Sequence, residues 1–208
     1  MSLEKRKQAL AQALQDPEEL VRATASKALD RVEGLAMIGE IAEAARNGAE
    51  PHRIRAIHFL GYLNTPESTD ILLSLLHDPH FDIRVATIKA LQNTLPEKAL
   101  KPLAACLNDP EPSVLHGALE TLSHYRDRKV TEYILPHLLN GDPETACSAA
   151  EALGRNGDPR AESYLAKALD SSSDPFLRAK AAEALGNLRP SSSHGETRRD
   201  GTDDTSER

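Results

Sequence analysis

Of the residues in this 208-residue chain, the eight histidines command the widest chemistry, since a histidine can bind a metal or carry a proton near neutral pH. Their densest setting is His77-Asp78-Pro79-His80, which offers three potential ligands in four residues. Pro79 fixes a turn there, however, and the Asp78 carboxylate is needed to cap the helix that follows. The chain contains no H-E-x-x-H and no C-x-x-C, so the short-spaced zinc motifs are absent. Cys106 falls on an apolar helix face and Cys147 among small residues, and both read as buried thiols. These residues predict no catalytic constellation, no metal and no cofactor.

What would position any such residue is a repeat. Leu29, Leu60, Leu91, Leu122, Leu153 and Leu185 stand 31, 31, 31, 31 and 32 residues apart. Seven residues before them come Arg22, Arg53, Arg84, Leu115, Ala146 and Arg178. Six residues earlier again lies a turn: Asp16-Pro17, Asn47-Gly48, Asp78-Pro79, Asp109-Pro110 and Asn140-Gly141, with Asp174-Pro175 displaced by two. Such a period marks stacked supersecondary units that bury a core only against their neighbours.

Each unit reads as two helices. In the third, Pro66-Glu67-Ser68-Thr69-Asp70 opens a helix on which Ile71, Leu72, Leu75 and Leu76 share one face. After the turn, Ile83, Val85, Thr87, Ile88 and Leu91 line the second helix. The same pattern predicts first helices over 4–15, 35–46, 67–77, 97–108, 128–139 and 159–170, and second helices over 18–31, 51–63, 80–94, 113–125, 144–155 and 175–187. Two first-helix columns are aliphatic throughout: Leu10, Ile41, Leu72, Leu103, Ile134, Leu165, and Leu14, Ala45, Leu76, Leu107, Leu138, Leu169. Pro102 and Pro136 fall inside first helices and are expected to kink them. Strand-like alternation is lacking. The expected fold is therefore all-α, with units at about 3–32, 34–63, 66–94, 96–125, 127–157 and 158–188 and a disordered tail over 189–208 that holds no aliphatic or aromatic residue.

Composition narrows the partners. A net charge of −7, no Trp, four Tyr and three Phe argue against a nucleic-acid partner, because phosphate binding wants a basic face and single strands want stacking platforms. No apolar run approaches the roughly 18 residues of a membrane span. The first residues, Met1-Ser2-Leu3-Glu4-Lys5-Arg6-Lys7, are not followed by the apolar stretch of a signal peptide, so a cytoplasmic location is expected.

The turn Asp, the Arg six residues later and the Ala-rich second helix carry a family resemblance. The stretches Asp16-Pro17…Val21-Arg22…Ala28-Leu29, Asp78-Pro79…Ile83-Arg84…Ala90-Leu91, Phe176-Leu177-Arg178…Glu183-Ala184-Leu185-Gly186 and Glu151-Ala152-Leu153-Gly154 resemble HEAT-like repeats of the short type found in phycobilisome lyases. The resemblance covers about residues 3–188 and implies a right-handed α-solenoid of about six helix pairs. It also implies a ladder in which each helix Arg reaches the turn Asp of an adjacent unit, a structural role for Asp16, Arg22, Arg53, Asp78, Arg84, Asp109 and Arg178. Units four and five, with Leu115 and Ala146, lack that Arg. Among HEAT-like enzymes, deoxyhypusine hydroxylase places iron on His-Glu dipeptides, and none of the histidines here is followed by Glu. A HEAT-like DNA glycosylase would need a basic face and aromatics, which the composition does not supply. A bilin lyase subunit remains the alternative.

In such solenoids the second helices line the concave side. Solvent-facing positions are expected two before, two after, five after and nine after the Arg column. The five-after column reads Lys27, His58, Lys89, Glu120, Glu151, Glu183, with Arg31, Arg55 and Tyr62 nearby in the first half and Phe176 in the second. The expected function is a non-catalytic scaffold or adaptor, binding another protein's segment along this face, its acidic end near units one to three. Leu3, Ala9 and Leu20 leave apolar groups near the N-terminal end, which would allow a homodimer.

Overall fold

The computed structural model describes residues 2–189. Among the described residues there are twelve α-helices and no strand. They run in pairs: α1 (Leu3–Ala13) with α2 (Glu19–Ala36), α3 (Ile38–Asn47) with α4 (Glu50–Leu63), α5 (Pro66–Leu75) with α6 (Phe81–Gln92), α7 (Leu100–Ala105) with α8 (Pro112–Ser123), α9 (Lys129–Asn140) with α10 (Pro143–Asn156), and α11 (Glu162–Ser171) with α12 (Pro175–Asn187). The arrangement is an all-α solenoid. Each second helix packs closely on the next, from α4 through α12, while the first helices stand farther apart. That difference puts the second helices on the inside of the curve.

The Asp-Pro turns work through their carboxylates. Asp16, Asp78, Asp109, Asp142 and Asp174 each accept the backbone N–H two residues on, at 2.9–3.0 Å. This turn chemistry aims the chain into the second helix, and proline removes a donor that would have no partner. In units five and six the Asp is itself the N-cap. In unit three the cap is His80, so Asp78 acts from two residues upstream of the cap rather than as the cap itself.

Pro102 also departs from expectation. The first helix of unit four is split into 3-10 turns at 97–99 and 106–108 around the short α7, so Pro102 falls in a first turn where a missing N–H costs nothing. Pro136 stands inside α9, which runs on past it to Asn140. Helix α10 ends at Gly157, whose φ of 73° is a left-handed cap that suits glycine.

One continuous apolar core runs from Ala42 to Ala184. Between second helices it is closed by small residues in fixed register. A Cβ placed on Gly61 would lie 3.0 Å from Ala90 Cβ, and one on Gly154 only 2.6 Å from Ala184 Cα. At the first junction the position of Ala90 is taken by Phe59. Its ring meets Gly34, one helical turn beyond the position equivalent to Gly61, and a Cβ there would be 2.6 Å from the ring. Helix α2 runs to Ala36 rather than ending near 31. Packing is sparse at this end: α1 has no buried residue, and α2 buries only Ala25, Val32 and Gly34.

The tail read over 189–208 lies, but for Arg189, outside the described residues. Arg189 itself is tied down, its backbone N–H donating to Gly157 O at 3.1 Å and its guanidinium to Asn156 O at 2.9 Å.

Candidate functional site

The arginine column does two jobs. Arg84 donates to its own turn at Asp78 O (2.8 Å) and reaches forward to both carboxylate oxygens of Asp109, at 2.8 and 2.7 Å. Arg53 likewise holds Ala45 O at 2.8 Å and pairs with the Asp78 carboxylate. Burial would raise the Asp78 and Asp109 carboxyls, but the guanidinium and backbone N–H bonds outweigh it and hold both below the ordinary carboxylate value. Arg22 and Arg178 make only the backward bonds, Arg22 to Asp16 O and Pro17 O and Arg178 to Ser172 O and Ser173 O. For Arg22 the cause is local, because the next turn is Asn47-Gly48 and offers no carboxylate. Asp16 correspondingly receives no guanidinium from another unit among the described residues.

A second set of cross-unit bonds was not legible as such. Lys98 reaches Pro66 O and the Asp70 carboxylate, and Arg160 reaches Arg128 O and Glu132. The two clamps are the same contact two repeats apart. The recurring cation at Lys98 and Arg160, opposite the acid at Asp70 and Glu132, was the available signal.

The inner-face residues divide by half. Lys27, Arg55, His58 and Lys89 are exposed, and among the described residues none of them forms an ion pair. Tyr62 is exposed, its hydroxyl donating to Lys27 O at 2.9 Å, and Arg31 donates to Leu63 O at 3.2 Å. In the second half Glu151 is half-buried and held by Arg155 at 2.9 Å and by Lys180 at 3.3 Å. Lys180 also reaches Glu183 at 3.4 Å, and these carboxylates, Glu151 first, raise its pKa. Glu120 is exposed, and its carboxylate makes no ion pair or hydrogen bond among the described residues. Phe176 is 77% exposed. The column two after the Arg faces solvent at Thr24 and Arg55 but is buried at Ala86 and half-buried at Gly117 and Ser148.

Between α8 and α10 the inner face sinks into a groove of about 270 Å³, walled by His116, Leu119, Glu120, Ser148, Glu151, Ala152 and Arg155. His116 puts Nδ1 3.9 Å from Glu144 and leaves Nε2 buried with no hydrogen-bond partner. His116 and Ser148 did not stand out in the sequence, because nothing in the 31-residue pattern distinguishes them.

The thiols are not poised for chemistry. Burial pushes Cys106 up to about 11, leaving it protonated at neutral pH, and Cys147 is raised for the same first cause. Among the described residues no cluster of His, Cys, Asp and Glu is arranged to hold a metal ion, and no helix is long and apolar enough to cross a membrane.

The family profile of HEAT repeats matches residues 38–123, 69–145 and 100–186, which together span well over half of the chain. The chain belongs to the HEAT-repeat family. No curated protein sequence matches it. Among solved structures, this HEAT-repeat chain is similar to the complex of CpcE and CpcF of phycocyanin lyase from Nostoc sp. PCC7120. That likeness has a TM-score of 0.59 at 19% identity and covers 72% of this chain and 98% of that one. An engineered protein is similar at a TM-score of 0.52 and 18% identity, covering 90% of this chain and 96% of its own. At such identities the likeness is one of HEAT-type fold alone.

Proposed function

We propose that this HEAT-repeat chain is a non-catalytic adaptor that holds an elongated segment of another protein along the inner face of its second helices. The observation that carries the reading is the run of exposed, unpaired cations Lys27, Arg55 and Lys89, with His58 and Tyr62 between them. Unpaired charges of one sign along a groove steer an oppositely charged segment and fix its direction. Tyr62 adds an aromatic anchor of the kind that dominates interface energy. The acidic end of the partner therefore lies over units one to three.

The test is affinity capture with wild type and the triple variant Lys27→Glu, Arg55→Glu, Lys89→Glu, both checked for helix content and melting temperature. A protein held by wild type in low salt and lost from the folded variant is the expected result. A partner that binds both equally would overturn the reading.

A second reading, a subunit of a protein-modifying complex such as a bilin lyase, is favoured by the fold likeness to the phycocyanin lyase complex. Purification from a bilin-making host with a visible absorption band would select it, and colourless protein would not.

A further inference from the structure

The groove between α8 and α10 extends the adaptor reading, on which it rests, from a charged face to a single receptor point. We propose that this groove receives an arginine side chain of the bound protein segment, with the Glu120 carboxylate accepting from its guanidinium.

Three observations converge there. First, Glu120 is the one carboxylate in the groove wall whose charge is not already met: Glu151 is bridged by Arg155 and Lys180, whereas Glu120 has no such partner among the described residues. Second, the polar wall is left incomplete by the chain's own groups. Ser148 lines the groove, and its hydroxyl makes no hydrogen bond among the described residues. Third, Leu119 and Ala152 line the same groove and give an aliphatic surface for a side-chain stem.

Two acceptors in the groove wall, the Glu120 carboxylate and the Ser148 hydroxyl, suit a planar donor with five N–H groups better than a compact ammonium. The lining charges, Glu120 and Glu151 against Arg155, sum to −1 and so favour a cation. The size also fits, since about 270 Å³ admits one long side chain and little more. An arginine here gives the bound segment the opposite polarity to the end it lays over Lys27, Arg55 and Lys89, which fixes its direction along the stack.

The experiment needs no natural partner. Isotope-labelled full-length protein is titrated with N-acetyl-arginine amide, N-acetyl-lysine amide and N-acetyl-glutamate amide, and amide and imidazole NMR shifts are followed. The arginine probe is expected to give saturable shifts confined to the region of His116, Glu120 and Ser148, and Glu120→Gln is expected to weaken them about tenfold. Glu120 is exposed, so the variant is expected to fold, and its spectrum elsewhere reports whether it does. Absence of saturable shifts, equal shifts from the lysine or glutamate probe, or unchanged affinity in Glu120→Gln would each overturn the proposal. None of those results touches the capture test with the Lys27, Arg55 and Lys89 variant, so the groove and the adaptor reading can fail separately.

Discussion

The stack from α4 to α12 and the junction of α2 with α4 use the same repeat but pack in different ways. In the first region glycine or another small residue on one second helix receives Ala90 or Ala184 on the next, and backbones approach until a single Cβ would collide. In the second, Phe59 stands where those alanines stand, and its ring packs on Gly34. One bulky residue in a small-residue column thus moves the contact by a helical turn. Leu20 is 79% and Val21 39% exposed in this first unit, whereas Ile83 and Val114, in the column of Val21, are fully buried. The lesson is that a solenoid's continuity depends less on its aliphatic columns than on the small residues that let second helices close.

Paired substitutions can sharpen that contrast. The largest difference is expected in the aliphatic columns. Leu122→Ala, at a fully buried site, should cost about 2–5 kcal/mol, while Leu10→Ala, on a helix with no buried residue, should cost well under half as much; urea melts of both variants decide it. Equal losses would mean that the first pair is as tightly packed as the rest.

The arginine column comes next. Arg84→Met strands the Asp109 carboxylate and should cost about 2 kcal/mol, whereas Arg22→Met removes only bonds to exposed carbonyls and should cost less than about 1 kcal/mol. The same rung predicts a pH dependence. Asp78 and Asp109 have folded pKa values below the ordinary carboxylate value of 3.8, so the unfolded chain binds more protons as acid is added. Their contribution is complete above 3.8 and is lost as pH falls below it through the depressed folded values. Asp109→Asn should flatten that acid limb, and an unchanged limb in acid titrations of stability would refute the assignment.

The smallest effect is the most diagnostic, because it changes sign. Gly154→Ala should destabilise by about 1–2 kcal/mol, since the new Cβ meets Ala184 backbone at 2.6 Å. Gly39→Ala, in α3 with nothing within 4 Å of its Cβ, should stabilise by about 0.5–1 kcal/mol. Thermal melts of the two variants shifting in the same direction would undo the distinction between the regions.

Much of this architecture was written in short-range signals. The leucine period, the Asp-Pro turns and the aliphatic first-helix columns each act within a few residues, and they located all six pairs. Arg53 and Arg84 were marked by the same column, because the turn Asp recurs at a fixed distance ahead of them. The end of α2, the 3-10 turns around α7 and the backward-only bonding of Arg22 were not marked. The bonding of Arg22 depends on what the neighbouring unit presents, an Asn at 47 in place of an Asp.

The candidate site divides along the same line. The sequence alone marked the exposed positions two before, five after and nine after the Arg column, because helical period and repeat register fix direction from the backbone. It also marked the two-after column, which is buried at Ala86. Only the tertiary structure decided which of those charges remain unpaired. Glu151 and Glu183 meet Lys180 across or along helices, while Lys27, Arg55, Lys89 and Glu120 form no ion pair among the described residues. The pairing between units turns on separations of a few ångströms between side chains of different repeats, and those follow from how closely the second helices pack.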